Sequence, residues 1–220
     1  MSLSLRLRNG APPVVVQVWG SGALFTRPES KVERLTYPVM TPSAAVGVLE
    51  AVFWKPEFRW DIAAIEVLRP VRFGAVRRNE TKAVMSSEAA LAGRVLDSAD
   101  QRTQRATTYL VDVAYRIHAH VALHQHTSDP AAKYRDQFRR RVARGACFST
   151  PYLGTREFGA FFGPPDAQPP VPITEDLGVM LHSITFSEQG RNPVSHWFRA
   201  KLQAGIMLVP DLDELGEAAR

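Results

Sequence analysis

Apolar residues recur at three- and four-residue steps from Ala45 through Val48, Leu49, Val52 and Phe53, which marks one buried face of a helix. Thr41-Pro42 just ahead is a start signal, because a threonine hydroxyl caps and proline is tolerated at the first helical position. Pro56 forces Lys55 out of the helical region and predicts the end of that helix. A second helix is framed by Asp129-Pro130 and Gly145, with Ala131, Tyr134, Phe138 and Val142 as its apolar stripe. Residues 14–19 form a β-rich run closed by the turn Gly20-Ser21-Gly22. Residues 60–68 form another, bent by Arg69-Pro70 into a short run at 71–73. From Thr107 strict alternation puts Tyr109, Val111, Val113, Tyr115, Ile117 and Ala119 on one face of a long strand. Leu110, Asp112, Ala114, Arg116, His118 and His120 take the other.

Further strands are predicted at 152–153, 156–162, 178–186, 195–200 and 206–209, with the proline-rich stretch 164–172 as a turn or linker. Between Arg77 and Arg105, Ser86, Ser87, Gly93, Asp97, Ser98 and Asp100 break any periodicity, which predicts a long loop or hairpin insertion. Up to about residue 160 the order is strand, helix, strand, strand, helix, strand. That order predicts an α+β chain built on a ferredoxin-like, RRM-like βαββαβ unit. Residues 1–160 form that domain, carrying the long loop 77–105, and residues 161–220 form a small antiparallel β domain with an acidic tail.

Composition narrows the function. Of 27 Lys plus Arg, only Lys31, Lys55, Lys82, Lys133 and Lys201 are lysines, and the formal net charge is +5. A guanidinium fork binds phosphate in two places and stacks on bases, so an arginine-rich chain points to nucleic acid, although codon usage gives the same bias. The longest apolar stretches, such as 46–49, fall short of the roughly 18 residues a bilayer span needs. No signal-peptide core accompanies Arg6 and Arg8, and the single Cys147 rules out an internal disulfide, so a reducing cytoplasm is expected and no membrane.

Four of the six histidines, His118, His120, His124 and His126, share one window. They lack an adjacent carboxylate or cysteine to complete a metal site, and no cofactor is expected. His124 and His126 precede a solvated turn at Thr127-Ser128-Asp129. His118 and His120 lie on a strand in the middle of the sheet, where an imidazole can take a proton from a ribose 2′-hydroxyl or give one to a leaving 5′-oxygen. The acidic group Asp211, Asp213, Glu214 and Glu217 reads as a solvated terminus, and no Walker-type loop is present. Arg69, Arg72, Arg77 and Arg78 surround Phe73, and Arg102 and Arg105 flank the other end of the loop, a mixture suited to phosphate contact with base stacking. On the second helix, Arg139, Arg140, Arg141 and Arg144 read as a solvated face, because consecutive arginines point in different directions.

Five strings carry a family resemblance: Val18-Trp19-Gly20, Leu24-Phe25-Thr26-Arg27-Pro28-Glu29, Phe53-Trp54-Lys55-Pro56, Val76-Arg77-Arg78-Asn79-Glu80 and Leu153-Gly154-Thr155-Arg156-Glu157-Phe158. With them the chain resembles the Dvulg subtype of the fifth CRISPR-associated protein family, RAMP-superfamily precursor-RNA endoribonucleases of type I-C systems. The resemblance implies an RRM-like domain with a small C-terminal sheet. It also implies metal-independent cutting of the CRISPR repeat by 2′-hydroxyl attack, then retention of the guide's 5′ handle among other type I-C surveillance-complex subunits. The family's catalytic histidine corresponds to His120, with His118 as its partner and Lys55 or an arginine to stabilise phosphorane charge. A tyrosine described for the family falls at Phe53, which has no hydroxyl, and a family lysine has no counterpart among Arg116, His118 and Ala119. RNA contact is expected from Arg27, Lys31, Phe53, Arg77, Arg78, Arg102 and Arg105. The alternatives are a non-catalytic subunit that only binds the 5′ handle, and binding of double-stranded DNA by the same arginines.

Overall fold

The computed structural model describes residues 5, 7, 8, 10–30, 32–97, 99–186 and 193–215. Its first helix, α1 (Pro42–Val52), begins as the sequence predicts, with the Thr41 side chain accepting from the Ala44 amide. It ends before Pro56 because tertiary donors take its last carbonyls. Phe148 and Ser149 amides bond Ala51 O, and Arg141 Nη1 bonds Val52 O at 2.9 Å. The long helix α3 (Ala131–Arg144) closes at Gly145 in the left-handed conformation, φ 63°. Asp129 does not cap it; its carboxylate is taken by Lys133 Nζ at 2.6 Å, and Pro130 stands at the cap position.

The strands are β1 (Val14–Ala23), β2 (Phe58–Val67), β3 (Phe73–Thr81), β4 (Arg102–Leu123), β5 (Phe161–Gly163), β6 (Glu175–Thr185), β7 (Val194–Gln203) and β8 (Ile206–Leu208), with a short helix α2 (Ser87–Leu91). They form one mixed α/β architecture whose strand pairs are antiparallel, in the order β5-β1-β4-β2-β8-β7-β6, with β3 on β4. α1 and α3 cover one face. Trp60 meets Phe138 and Phe58 meets Tyr134 at ring distances of 4.8 and 5.1 Å, above Val16, Ile65 and Ile117. The point expected to divide the chain, at residue 160, falls just before β5, which pairs with β1, while β8 joins the C-terminal strands to β2.

Further expectations change. Residues 77–105 are largely a hairpin, not a loop: β3 pairs β4 from Phe73↔Leu110 to Thr81↔Arg102, and only 82–101 connect them. Most of β3 is solvated on both sides, so no hydrophobic alternation marks it. Next, Gly20-Ser21-Gly22 does not close β1 but runs through it. A Cβ on Gly20 would stand 2.8 Å from Leu153 and one on Gly22 2.8 Å from Phe158, so the glycines let the 153–158 segment lie on the strand. That same folding-over leaves only 161–163 as strand where 156–162 was expected.

The alternation along β4 also reverses. Tyr115 and Ile117 face the core as predicted, but so does Leu110, because Asp112 sits at φ 53° and turns the strand over. β1 reverses opposite it, from Val18 to Ala23.

Gly154, at φ 88°, lies against the backbone of Leu24, whose amide bonds Leu153 O at 3.0 Å. Gly154→Ala is therefore expected to destabilise the fold by about 2 kcal/mol or more in urea titration. Gly159→Ala, where an added Cβ meets nothing within 4 Å, should stay within about 0.5 kcal/mol of the parent.

Candidate active site

β4 is flanked by β1 and β2, so its residues occupy the middle of the sheet. Since Ile117, Ala119 and Val121 point to the helices, His118 and His120 point to the helix-free face. On β2 a shift in register between Ile62 and Ala64 brings Asp61 opposite His120 and Ala64 opposite His118. The face they share is polar but covered.

His118 Nε2 lies 2.6 Å from Glu66 Oε1, and the other oxygen of that carboxylate lies 2.6 Å from Arg116 Nη1. Arg116 Nη2 continues to the backbone oxygens of Asp166 and Gln168, at 2.9 and 2.8 Å. Gln17 Nε2 donates to the Asp166 carboxylate at 3.0 Å. The proline-rich stretch 164–172 is thereby pinned across the sheet. Burial alone pushes the Glu66 carboxyl up, but the hydrogen bond and charge of His118 and the Arg116 guanidinium outweigh it and hold it below the usual carboxylate range. Glu66 so engages Nε2 of His118 and fixes the orientation of its ring.

His120 is 2 % exposed and lies outside the apolar core cluster. Across the ladder stands Asp61, whose carboxylate is 2.6 Å from Arg8 Nη1; the same guanidinium reaches Asp211 at 3.3 Å. The acidic terminus is thus tied in at Asp211, which also caps a 3-10 turn at Leu212–Glu214. Glu217 lies outside the described residues.

Lys55 is exposed in the connection from α1 to β2. Phe58 pairs with Leu123, three residues or roughly 10 Å along the ladder from the Asp61–His120 pair, and Lys55 lies beyond it. The structure therefore brings His118 and His120 together and leaves Lys55 apart. His124 and His126 stack with centroids 5.7 Å apart, and among the described residues no three His, Cys, Asp or Glu side chains converge.

Of the residues expected to touch RNA, Phe53 is corrected: it is buried in the core, beside Phe58 and under the Arg141 guanidinium. Its ring belongs to the apolar stripe that ends α1, and the exposed ring nearby is Trp54. Arg27 lies over the Tyr37 ring at 4.8 Å and near Glu29 at 3.5 Å. Lys31 lies outside the described residues. Arg77 and Arg102 are exposed on the β3–β4 hairpin. Arg78 pairs with Glu157 at 3.0 Å and Glu80 at 3.4 Å, and Arg105 pairs with Glu80 at 3.4 Å.

Arg34, which the sequence did not single out, approaches both carboxylates at 3.7 and 3.8 Å. Glu157 is kept below the usual carboxylate range by its own backbone amide, the Thr155 hydroxyl and Arg78, so it stays ionised beside these arginines.

Residues 14–210, from the first strand past the last, match the family model described as CRISPR-associated protein (Cas_Cas5), Cas5d. The chain belongs to the Cas5d family of CRISPR-associated proteins. It is 43 % identical over 214 residues to the CRISPR pre-crRNA endoribonuclease Cas5d of Mannheimia succiniciproducens, covering 89 % of this chain and 93 % of that one. Identity is also 43 %, over 212 residues, with the protein of the same name from Thermus thermophilus, covering 89 % and 90 %. Among solved structures, a crystal structure of a CRISPR-associated protein superposes with a TM-score of 0.66 at 22 % identity, covering 92 % of this chain and 93 % of that one. A chain of a CRISPR RNA-guided surveillance complex does so at 0.51 and 15 %, covering 91 % and 90 %. These two likenesses speak to the fold alone.

The Glu66 carboxylate has the lower pKa in the folded chain. Its stabilisation is complete above the unfolded value and is lost as pH falls through the folded one. At pH 7, Glu66→Gln should cost about 3 kcal/mol, since it leaves the cationic Arg116 without its buried partner. The gap between variant and parent should narrow steadily below pH 4.5, read by urea unfolding from pH 7 to pH 3. A gap independent of pH would refute the assignment.

Proposed function

We propose that this chain is a CRISPR precursor-RNA endoribonuclease which cuts a repeat stem-loop and then holds the 5′ handle of the guide within a type I-C surveillance complex. The observation that carries this reading is the pair of imidazoles on the helix-free face of the central strand, one of them oriented by a buried carboxylate. They lie in a chain 43 % identical to relatives named for that activity. The order β5-β1-β4-β2, with α1 between β1 and β2 and α3 between β4 and β5, supports a ferredoxin-like unit, on which β6 to β8 form the smaller C-terminal part.

In the proposed reaction the ribose 2′-oxygen attacks the adjacent phosphorus as its proton passes to an imidazole. The bond to the 5′-oxygen breaks, and that oxygen takes a proton from the second imidazole. The products are a 2′,3′-cyclic phosphate and a 5′-hydroxyl, and no metal is required. His120 is the proposed acid or base and His118 its partner, held by Glu66 with Nδ1 toward the substrate. Lys55 and the hairpin arginines bind phosphates further along the RNA. Because Asp61, opposite His120, is tied to Arg8, RNA phosphates compete with the two carboxylates for that guanidinium as the strand settles over the face. The protein works in the cytoplasm, and no helix among the described residues is long and apolar enough to cross a membrane.

A second reading, a subunit that binds the 5′ handle without cutting, draws on the buried Phe53 in place of a hydroxyl and on the low exposure of His120. Purified protein incubated with its repeat RNA separates the two. Cutting should persist in EDTA, stop with a 2′-deoxy nucleotide at the cut site, and fall by about 10² or more in His120→Ala with RNA affinity retained. No cutting by the parent protein favours the second reading. Duplex DNA competing at equal salt as well as the repeat RNA would redirect both toward a DNA ligand.

A further inference from the structure

The last two turns of α3 hold a feature that neither the histidine face nor the hairpin accounts for. Arg140, Arg141 and Arg144 do not fan out as consecutive arginines are expected to. With Gln137, Ala146 and Cys147 they line one cavity of about 380 Å³. Residues 137, 140, 141 and 144 are spaced three and four apart and share one side of a helix. Only Arg139 turns away, to Asp136 at 3.3 Å. No carboxylate lines this cavity, and among the described residues Arg140 and Arg144 have no acidic partner. The hairpin differs, since there Glu80 and Glu157 sit among Arg34, Arg78 and Arg105.

Helix-end capping does not explain the cluster. The carbonyls of Arg141 and Val142 already accept from the Ala146 and Gly145 amides. Arg141 is fixed structurally, over the Phe53 ring and on Val52 O, which presents its guanidinium at the cavity wall. Beside the cavity two segments are stitched together by the Phe148 amide on Ala51 O at 2.7 Å, and each carries an exposed aromatic ring: Phe148 at 82 % and Trp54 at 54 %. Such rings beside clustered guanidinium groups are what a single strand needs, with flat faces for bases and forks for phosphates.

We propose that this cavity and its two rings bind the backbone and bases of an unpaired RNA strand, on the helix side of the sheet and independently of cleavage. Arg140 and Arg144 would hold successive phosphates, with Arg141 fixed between them, and Phe148 would stack a base.

The test is binding of a fluorescein-labelled, mixed-sequence 12-nucleotide RNA that cannot form a hairpin, titrated at several salt concentrations. The double variant R140A/R144A should bind at least about tenfold more weakly. Its slope of log affinity against log salt should be shallower by about 1.4, or about 0.7 for each phosphate no longer neutralised. Phe148→Ala should weaken binding about fivefold or more and leave the slope unchanged. Unchanged affinity and slope in R140A/R144A overturn the proposal. Equal binding of the same sequence as single-stranded DNA overturns the assignment to RNA. Should the double variant fail to fold, Arg144→Gln alone, at the exposed end of the helix, carries the same test with half the slope change. A protein that never cuts repeat RNA, but whose affinity for this oligonucleotide falls in R140A/R144A, sinks the catalytic reading and leaves this one standing.

Discussion

The backbone reversal at Asp112, clamped by Arg69 and Arg72, divides the 22-residue strand β4 into two parts with different duties. Beyond it, alternate residues are buried under α1 and α3, and the others form the polar face with His118 and His120. Before it, the strand leaves the body and pairs with β3 as a largely solvated ribbon. An aspartate tolerates the left-handed region better than most residues, and here its carboxylate is matched by two guanidinium groups. Without the reversal, Leu110 would turn away from the core and β1 would have no reason to switch faces at Ser21. The glycines on either side of Ser21 then make room for the 153–158 segment.

The polar face is costly to bury, which is informative about its use. A carboxylate, a guanidinium and an imidazole lie within hydrogen-bond distance in a region that apolar side chains could have filled more stably. The arrangement persists because each charged group has directed partners: Glu66 uses both oxygens, and Arg116 spreads its two Nη groups over Glu66 and the 164–172 stretch, leaving only its buried Nε without a partner among the described residues. The result is an imidazole with one nitrogen fixed, a geometry suited to proton transfer. Arg8 gives Asp61 a comparable anchor, but a lighter one, because it comes from a terminal segment and divides itself between two carboxylates.

What is legible in the sequence follows from which elements are half-buried. α1 announces its start through Thr41-Pro42 and its face through the spacing of Ala45, Val48, Leu49 and Val52, because one side meets the core and the other meets water. The part of β4 beyond Val113 is legible for the same reason, and with it the shared face of the two histidines. β3 is not, since a ribbon wet on both sides has no period to read. Gly20 and Gly22 read as a turn because a glycine that allows close approach looks like a glycine that allows a bend. The Glu66–His118 contact spans 52 positions and depends on the register shift after Ile62, which no local pattern encodes. Phe53 is the hardest case: a family position that suggests chemistry is the last rung of an apolar stripe.

Arginine content alone is ambiguous for a related reason, since a guanidinium can serve the fold or a ligand, and its neighbours decide which. Around Glu80 and Glu157 the hairpin arginines are partly neutralised, so an incoming phosphate there must compete with carboxylates already in place. At Asp112 and Glu66 the competition is stronger still, because those pairs hold the strand reversal and His118. Binding energy from phosphates is therefore greatest where cations stand without anions, and least where the arginines hold the architecture together. Four of the five strings that carry the family resemblance meet near Gly20, Gly22 and Arg78: Leu153 bonds Leu24, Phe158 lies over Gly22, and Glu157 pairs with Arg78. Those strings bind the base of the hairpin to the sheet. They report the packing of the 153–158 segment and the hairpin on the sheet, so the family is recognised through its scaffold even with Phe53 buried in the core.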